Sequence, residues 1–227
     1  MREAPVVVLV CADAEWRALR RVLGDAREGP TTPYGDTLLQ GDVLYVRTGW
    51  GKIAAAAATQ YVLSRWSPRL LINIGTCGGF AGETRVGDVL LVERTVVYDI
   101  IEQMTDPDEA IAHYSTCLDL SWLRAPLPIA AARRALMISG DRDLLASEIP
   151  TLRARFGAIA GDWESAAIAY VGARSDVRLL VLRAVSDVVG AKGSPAYGDV
   201  SHFEAEAERV LRPLVASIPG WIAQAAR

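Results

Sequence analysis

The sequence predicts an α/β fold: a single-domain three-layer sandwich over residues 1–227, with a central, mostly parallel mixed sheet flanked by helices. Three observations predict it. Continuous β-rich apolar runs at 6–12, 69–76 and 178–187 are what strands covered on both faces require. Helix-period or alanine-rich stretches alternate with them, the pattern of βα units around a mainly parallel sheet. No repeat or linker interrupts the alternation, and 227 residues suit one large domain.

The elements follow in chain order. VVVLVCA (6–12) is a first buried strand, and AEWRALRRVL (14–23) a helix with Trp16, Leu19 and Leu23 at helical spacing. TLLQG and VLYVRTGWG (43–51) form an antiparallel or mixed pair. KIAAAAATQYVLSRW (52–66) is alanine-rich and helical. RLLINIGT (69–76) is a buried strand that meets a glycine-rich exit, expected to be a tight turn at Gly78-Gly79. VGDVLLVERTVVYDI (86–100) is a long or bent strand. Residues 101–135, with Pro107, Pro126 and Pro128, are the least regular and are expected to hold loops reaching over a site. ALMISGDRD (135–143) is a strand ending in polar residues, and LLASEIPTLRARFG a helix with Pro150 in its first turn. AIAGDWE (158–164) is a short strand, ESAAIAYVGAR (164–174) a helix and RLLVLRAVSD (178–187) a last inner strand. A closing helix opens on Ser201-x-x-Glu204, a capping-box pattern.

Composition narrows the function. Hydrophobic residues make up 51% and charged residues 22%, enough for a sizeable core. A net charge of −3 without a basic stripe argues against nucleic acid as a partner. Cys11, Cys77 and Cys117 are odd in number and lack metal spacing, which points to a reducing cytoplasm rather than a disulfide framework. His113 and His202 show no ligand spacing either. Arg2 is followed by an apolar run too short for a signal peptide or membrane span.

Ligands of open α/β sheets gather at the carboxyl ends of strands. The ends here are Asp13-Ala14-Glu15, Thr76-Cys77-Gly78-Gly79, Gly140-Asp141, Asp162-Trp163-Glu164 and Ser186-Asp187, four of the five carrying carboxylates. Each has a plain structural reading beside the functional one. Glu164 could accept two sugar hydroxyls, or merely complement a helix N-terminus. Asp187 could hold a proton for donation if half-buried, or cap the next loop. Glu15 could orient a water, with Asp13 competing for that place. Trp50, between two glycines, and Trp163, beside Glu164, are the aromatic residues to watch.

Four motifs in order resemble the nucleoside phosphorylase and nucleosidase superfamily, on the methylthioadenosine/S-adenosylhomocysteine nucleosidase branch. TGWGKIAAAAATQYVL (48–63) is similar to its S-G-x-G-K-x-x-A-A helix entry, and INIGTCGGFAGETRVGDVLLVE (72–93) to its I-N-x-G-S-A-G-G…VGD segment. DWESAAIAYV (162–171) resembles V-E-M-E-A-x-A-I-A, and RAVSD (183–187) resembles R-A-I-S-D. The resemblance implies hydrolysis of the N-ribosidic bond of a purine or purine-like nucleoside by a homodimer, with no organic cofactor and no metal. It implies Asp187 as the acid at N7 of the base, Glu164 on the ribose hydroxyls, Trp163 packing on the ribose, and Thr76 near the anomeric carbon. Cys77, Gly78 and Ser186 fall within the same motifs as binding positions.

The resemblance also bears on Asn73. Phosphorylases of the superfamily carry an Arg there that clamps phosphate, so Asn73 implies water as nucleophile. Arg17 and the phosphate-dependent reaction remain the alternative, as does a nucleoside-binding module without catalysis. Two positions depart from the pattern. Aligned without gaps, the last glutamate of the family's first-strand triplet, which handles the water, falls on Trp16, with Glu15 one residue earlier. Asp143 replaces a Phe that packs on adenine, which favours a base with extra donors or positive charge.

Overall fold

The computed structural model describes residues 5–191 and 193–226. Arg2 and the side chain of His202 lie outside the described residues. Ten strands form one sheet: β1 (Val6–Val10), β2 (Arg27–Glu28), β3 (Thr37–Gln40), β4 (Val43–Arg47), β5 (Leu70–Phe80), β6 (Val89–Val97), β7 (Thr116–Cys117), β8 (Arg133–Ser139), β9 (Ala160–Asp162) and β10 (Arg178–Val189). The helices are α1 (Asp13–Leu23), α2 (Lys52–Trp66), α3 (Pro107–Tyr114), α4 (Ile149–Phe156), α5 (Ser165–Gly172) and α6 (Val200–Ala225). The order β10-β6-β8-β9-β5-β1-β4-β3-β2, with β10 also paired to β5, closes five strands on themselves and leaves β1, β4, β3 and β2 as an open wing, while β7 pairs with β6. The long ladders, β5 on β10 and β6 on β8, are parallel; β3 on β4 and β6 on β10 are antiparallel. Helices α1 and α6 pack together with α6 against β5 and β10, while α5 joins α2 and lies on β6 and β8.

The burial pattern explains why the three long apolar runs become inner strands. Every residue of β1 is buried, as are nearly all of β5 and β10, so both faces of the sheet are covered. The α2 helix coincides with the alanine-rich run; small side chains let it lie close to α5. Pro150 sits in the first turn of α4, where its missing N–H is not needed. The long strand at 86–100 is bent: the pairing of β6 with β8 slips between Val92 and Arg94.

Three expectations are corrected. Gly78 and Gly79 form no turn, because β5 runs unbroken through them to Phe80. Their bareness serves packing: a Cβ on Gly79 would lie 2.0 Å from Thr84 Oγ1 and 2.9 Å from Val185 Cγ1. Residues 101–135 hold α3 and β7, and none of them lines the cavity described below. The Ser201/Glu204 capping box does not form, because α6 already begins at Val200 and the Glu204 carboxylate is paired with Arg17. Among the described residues, no helix is long and apolar enough to cross a membrane.

Candidate active site

Strand ends β5, β9 and β10, the N-terminus of α1 and the segments 140–144 and 194–203 surround a cavity of about 290 Å³. Glu15, Thr76, Cys77, Gly78, Asp143, Trp163, Glu164, Ser186 and Asp187 all line it.

Asp187 reaches the cavity by a bulge. Pairing of β10 with β5 slips between Val185 and Asp187, so Ser186 is the extra residue and Asp187 sits opposite Gly78. The slip turns a side chain that the two-residue period would have sent elsewhere. Asp187 is buried and lies within the strand, not on a loop. Its Oδ1 accepts from Ser186 Oγ (2.7 Å) and its Oδ2 from Ser194 Oγ. Ser194 went unnoticed in the sequence because seven residues and a reversal separate it from its partner.

Glu15 stands in the first turn of α1 and is almost fully buried. Its Oε1 accepts from Thr76 Oγ1 (2.7 Å) and from the Thr76 N–H, and its Oε2 from the Ala12 N–H (3.2 Å). Trp16, in contrast, points into the hydrophobic core, so the ungapped assignment of Trp16 to the cavity position is corrected and the carboxylate there is Glu15. Asp13 is excluded from the role because it faces Arg47 at the surface. Gly75 makes room for Glu15, whose Oε1 would be 2.9 Å from any Cβ added there.

Glu164 is buried just before α5 and accepts from the Gly51 N–H (2.9 Å). Glu164 is the N-cap residue of α5, as expected, but its side chain makes no capping bond; Asp162 accepts from the Ser165 N–H at the start of the helix. Gly51 has φ +84°, so glycine in the G-W-G-K entry aims its N–H at Glu164 from a left-handed conformation. Burial, with Asp162 and Glu15 nearby, pushes the Glu164 carboxyl up to about 8. Burial also raises the Cys77 thiol well above its ordinary range, which keeps it neutral and a poor nucleophile.

Beneath these acids lies Arg183, fully buried. Its Nε donates to Asp162 Oδ2 (2.8 Å) and its Nη2 to Asn73 Oδ1 (2.6 Å). Asn73 donates in turn to the Leu9 carbonyl (3.1 Å) and does not reach the cavity. A neutral amide there ties Arg183 to the first strand, where a second cation would leave two buried positive charges facing each other. Arg17 is half exposed and paired with Glu204, away from the cavity. Arg142 lines the cavity, but its guanidinium is paired with Glu148 (3.0 Å).

Two indoles complete the wall. Trp163 and Trp50 lie with ring centroids 6.2 Å apart and tilted by 44°, and Trp50 is 64% exposed. His113 is remote; its Nε2 lies 3.3 Å from Tyr170 Oη. Among the described residues, no three of His, Cys, Asp and Glu cluster as metal ligands.

Comparison with known proteins gives a consistent outcome. The family model of the phosphorylase superfamily matches residues 6–218. The chain is 30% identical over 196 residues to the 5′-methylthioadenosine/S-adenosylhomocysteine nucleosidase of Tolumonas auensis, covering 82% of this chain and 84% of that one. A nucleosidase of the same description from Haemophilus influenzae is 30% identical over 75% of this chain and 79% of its own length. In fold, the chain is similar to the Helicobacter pylori nucleosidase solved with butyl-thio-DADMe-Immucillin-A (TM-score 0.79, 18% identity, 96% and 99% covered). Futalosine hydrolase of Helicobacter pylori is also similar (TM-score 0.76, 16% identity, 97% and 98% covered).

Proposed function

The chain belongs to the phosphorylase superfamily, on the branch of the nucleosidases, and we propose on that footing that it hydrolyses the N-ribosidic bond of a purine or purine-like nucleoside. One observation carries the reading. Asp187, Glu164 and Glu15 converge on one cavity, while the cation beneath them, Arg183, is buried and committed to Asp162 and Asn73. An incoming phosphate would meet carboxylates; a water would meet acceptors that orient it.

Each residue then has a task. Asp187 delivers a proton to N7 of the base, so that the base departs neutral. Glu164 holds the ribose hydroxyls and Trp163 packs on the sugar. Glu15, with Thr76 Oγ1, holds the attacking water below the anomeric carbon. The raised Glu164 carboxyl adds a differential effect. An ionised carboxylate is unfavourable in the empty pocket, but positive charge developing on the ribose supplies its partner. Its interaction is therefore stronger in the transition state than before it. The chain acts as a homodimer in this reading, and exposed Trp50, Ile53, Ile101 and Met104 support that part. The Lys52–Asp99 ion pair joins the segments that carry Ile53 and Ile101.

The test is direct. Purified protein is incubated with adenosine, 5′-methylthioadenosine and inosine, with and without phosphate, and free base and free ribose are measured. Base release independent of phosphate is expected. Strict phosphate dependence would make the enzyme a phosphorylase, and binding without release would make it a sensor.

A further inference from the structure

Five carboxylates line the cavity, and four are engaged. Glu15 accepts from Thr76, Glu164 from Gly51, Asp187 from Ser186 and Ser194, and Asp162 is paired with Arg183. The fifth, Asp143, has neither a hydrogen-bond donor nor an ion-pair partner among the described residues, although Arg142 precedes it. The backbone sends the two side chains apart: Arg142 goes to Glu148 and over the Tyr98 ring, and Asp143 to the cavity rim.

The position of Asp143 relative to Asp187 follows from their shared neighbours. Leu144, the residue after Asp143, and Asp187 flank one point of β5, with Leu144 Cδ1 at 3.3 Å and Asp187 Oδ2 at 3.7 Å from a Cβ built on Gly78, and the Tyr197 hydroxyl donates to the Leu144 carbonyl (2.9 Å). Asp143, Tyr197 and Asp187 therefore share one wall. If Asp187 addresses N7, the next group along the same edge of a purine is the substituent at position 6. A carboxylate there accepts a hydrogen bond from an amino group, attracts an ammonium and repels the lone pairs of a carbonyl oxygen.

We infer that Asp143 determines base specificity, selecting nucleosides whose substituent at purine position 6 donates a proton or carries positive charge over those with a carbonyl. This rests on the nucleosidase reading and on the placement of N7 at Asp187.

The experiment compares kcat/KM within two pairs: adenosine against inosine, and N6-(2-aminoethyl)adenosine against its neutral isostere N6-propyladenosine. At low salt the parent is expected to favour the first member of each pair by tenfold or more. In Asp143→Asn both ratios should fall to within about threefold of one, because an amide both donates and accepts and carries no charge. The ammonium preference, not the amino preference, should shrink on adding 0.5 M salt, about where screening reaches only a few ångströms. Ratios near one in the parent, or ratios unchanged in Asp143→Asn, would overturn the inference. If no nucleoside is hydrolysed, the preceding reading fails instead. Calorimetric binding of the same pairs to Asp187→Asn and to Asp143→Asn/Asp187→Asn then gives the ratios without turnover, and the same two outcomes decide.

Discussion

Asp187 and Glu164 are both buried carboxyls, yet their surroundings differ in kind. Two hydroxyls donate to Asp187, whereas Glu164 receives one backbone N–H and faces two further acids. Replacing Asp187 by Asn keeps volume and removes the carboxyl that the proposed reaction uses as its acid. Hydrolysis is expected to fall by about 10²–10⁴-fold, the range for loss of a general acid, with a melting temperature within a few degrees of the parent. Activity close to the parent's would remove Asp187 from the mechanism. For Glu164 the pH dependence has a definite sign. Its folded value, about 8, exceeds the ordinary 4.5, so the folded state holds the extra proton between those limits. Its contribution to stability is therefore present in full below about pH 4.5 and lost as pH rises through about 8. Glu164→Gln should flatten the decline of melting temperature over that window, and an equal slope in both proteins would count against the burial argument.

At the scale of elements, β5 shows how a strand makes a site by leaving side chains out. Gly75 admits Glu15, Gly78 faces Leu144 and Asp187, and Gly79 admits Thr84 and Val185. Gly79→Ala places a methyl group 2.0 Å from Thr84 Oγ1, and overpacking of this sort costs about 1–3 kcal/mol. Urea unfolding would measure it, and a midpoint equal to the parent's would show that Thr84 yields freely. A second device ties α2 to the segment after β8. Lys52 Nζ is paired with Asp99, Asp99 accepts from the Asp141 N–H (2.9 Å), and Asp141 accepts from the Lys52 N–H (2.8 Å). Both the Gly51 donor to Glu164 and the Asp143 wall hang on this triangle. Lys52→Met strips Asp99 of its cation, with an expected loss of about 1–3 kcal/mol and a raised KM. Steady-state kinetics beside a thermal melt would separate the two effects.

At the scale of the molecule, the closed five-strand ring and the open wing bring residues from α1, β5, β9 and β10 to one place. Exposed Ile53 and Ile101 follow Lys52 and Asp99, whose ion pair joins their segments. Ile53→Glu with Ile101→Glu is expected to convert a dimer into monomers in sedimentation velocity, and to lower turnover as it does so. A parent that sediments as a monomer at micromolar concentration would refute the dimer.

Much of this was legible in the chain before any coordinates. Buried runs such as 6–12 and 178–187 announce inner strands, because a strand covered on both faces has little choice of side chains. The alanine run gives α2 to the residue, and the nine candidate site residues all line the cavity. The misreadings share a cause. Gly78-Gly79 resembled a turn because local conformational freedom and close packing demand the same residue, and only neighbours from β10 and Thr84 distinguish them. Ser194 on Asp187, Asn73 on Arg183 and Gly51 on Glu164 are partnerships across 7, 110 and 113 positions. By itself the sequence determined the layers, the order of elements and the acids available for chemistry, since these follow from side-chain period and burial. The tertiary structure alone decided which acids meet, which cation is spent, and which carboxylate is left for the ligand, because hydrogen bonding and desolvation depend on what lies nearby in space.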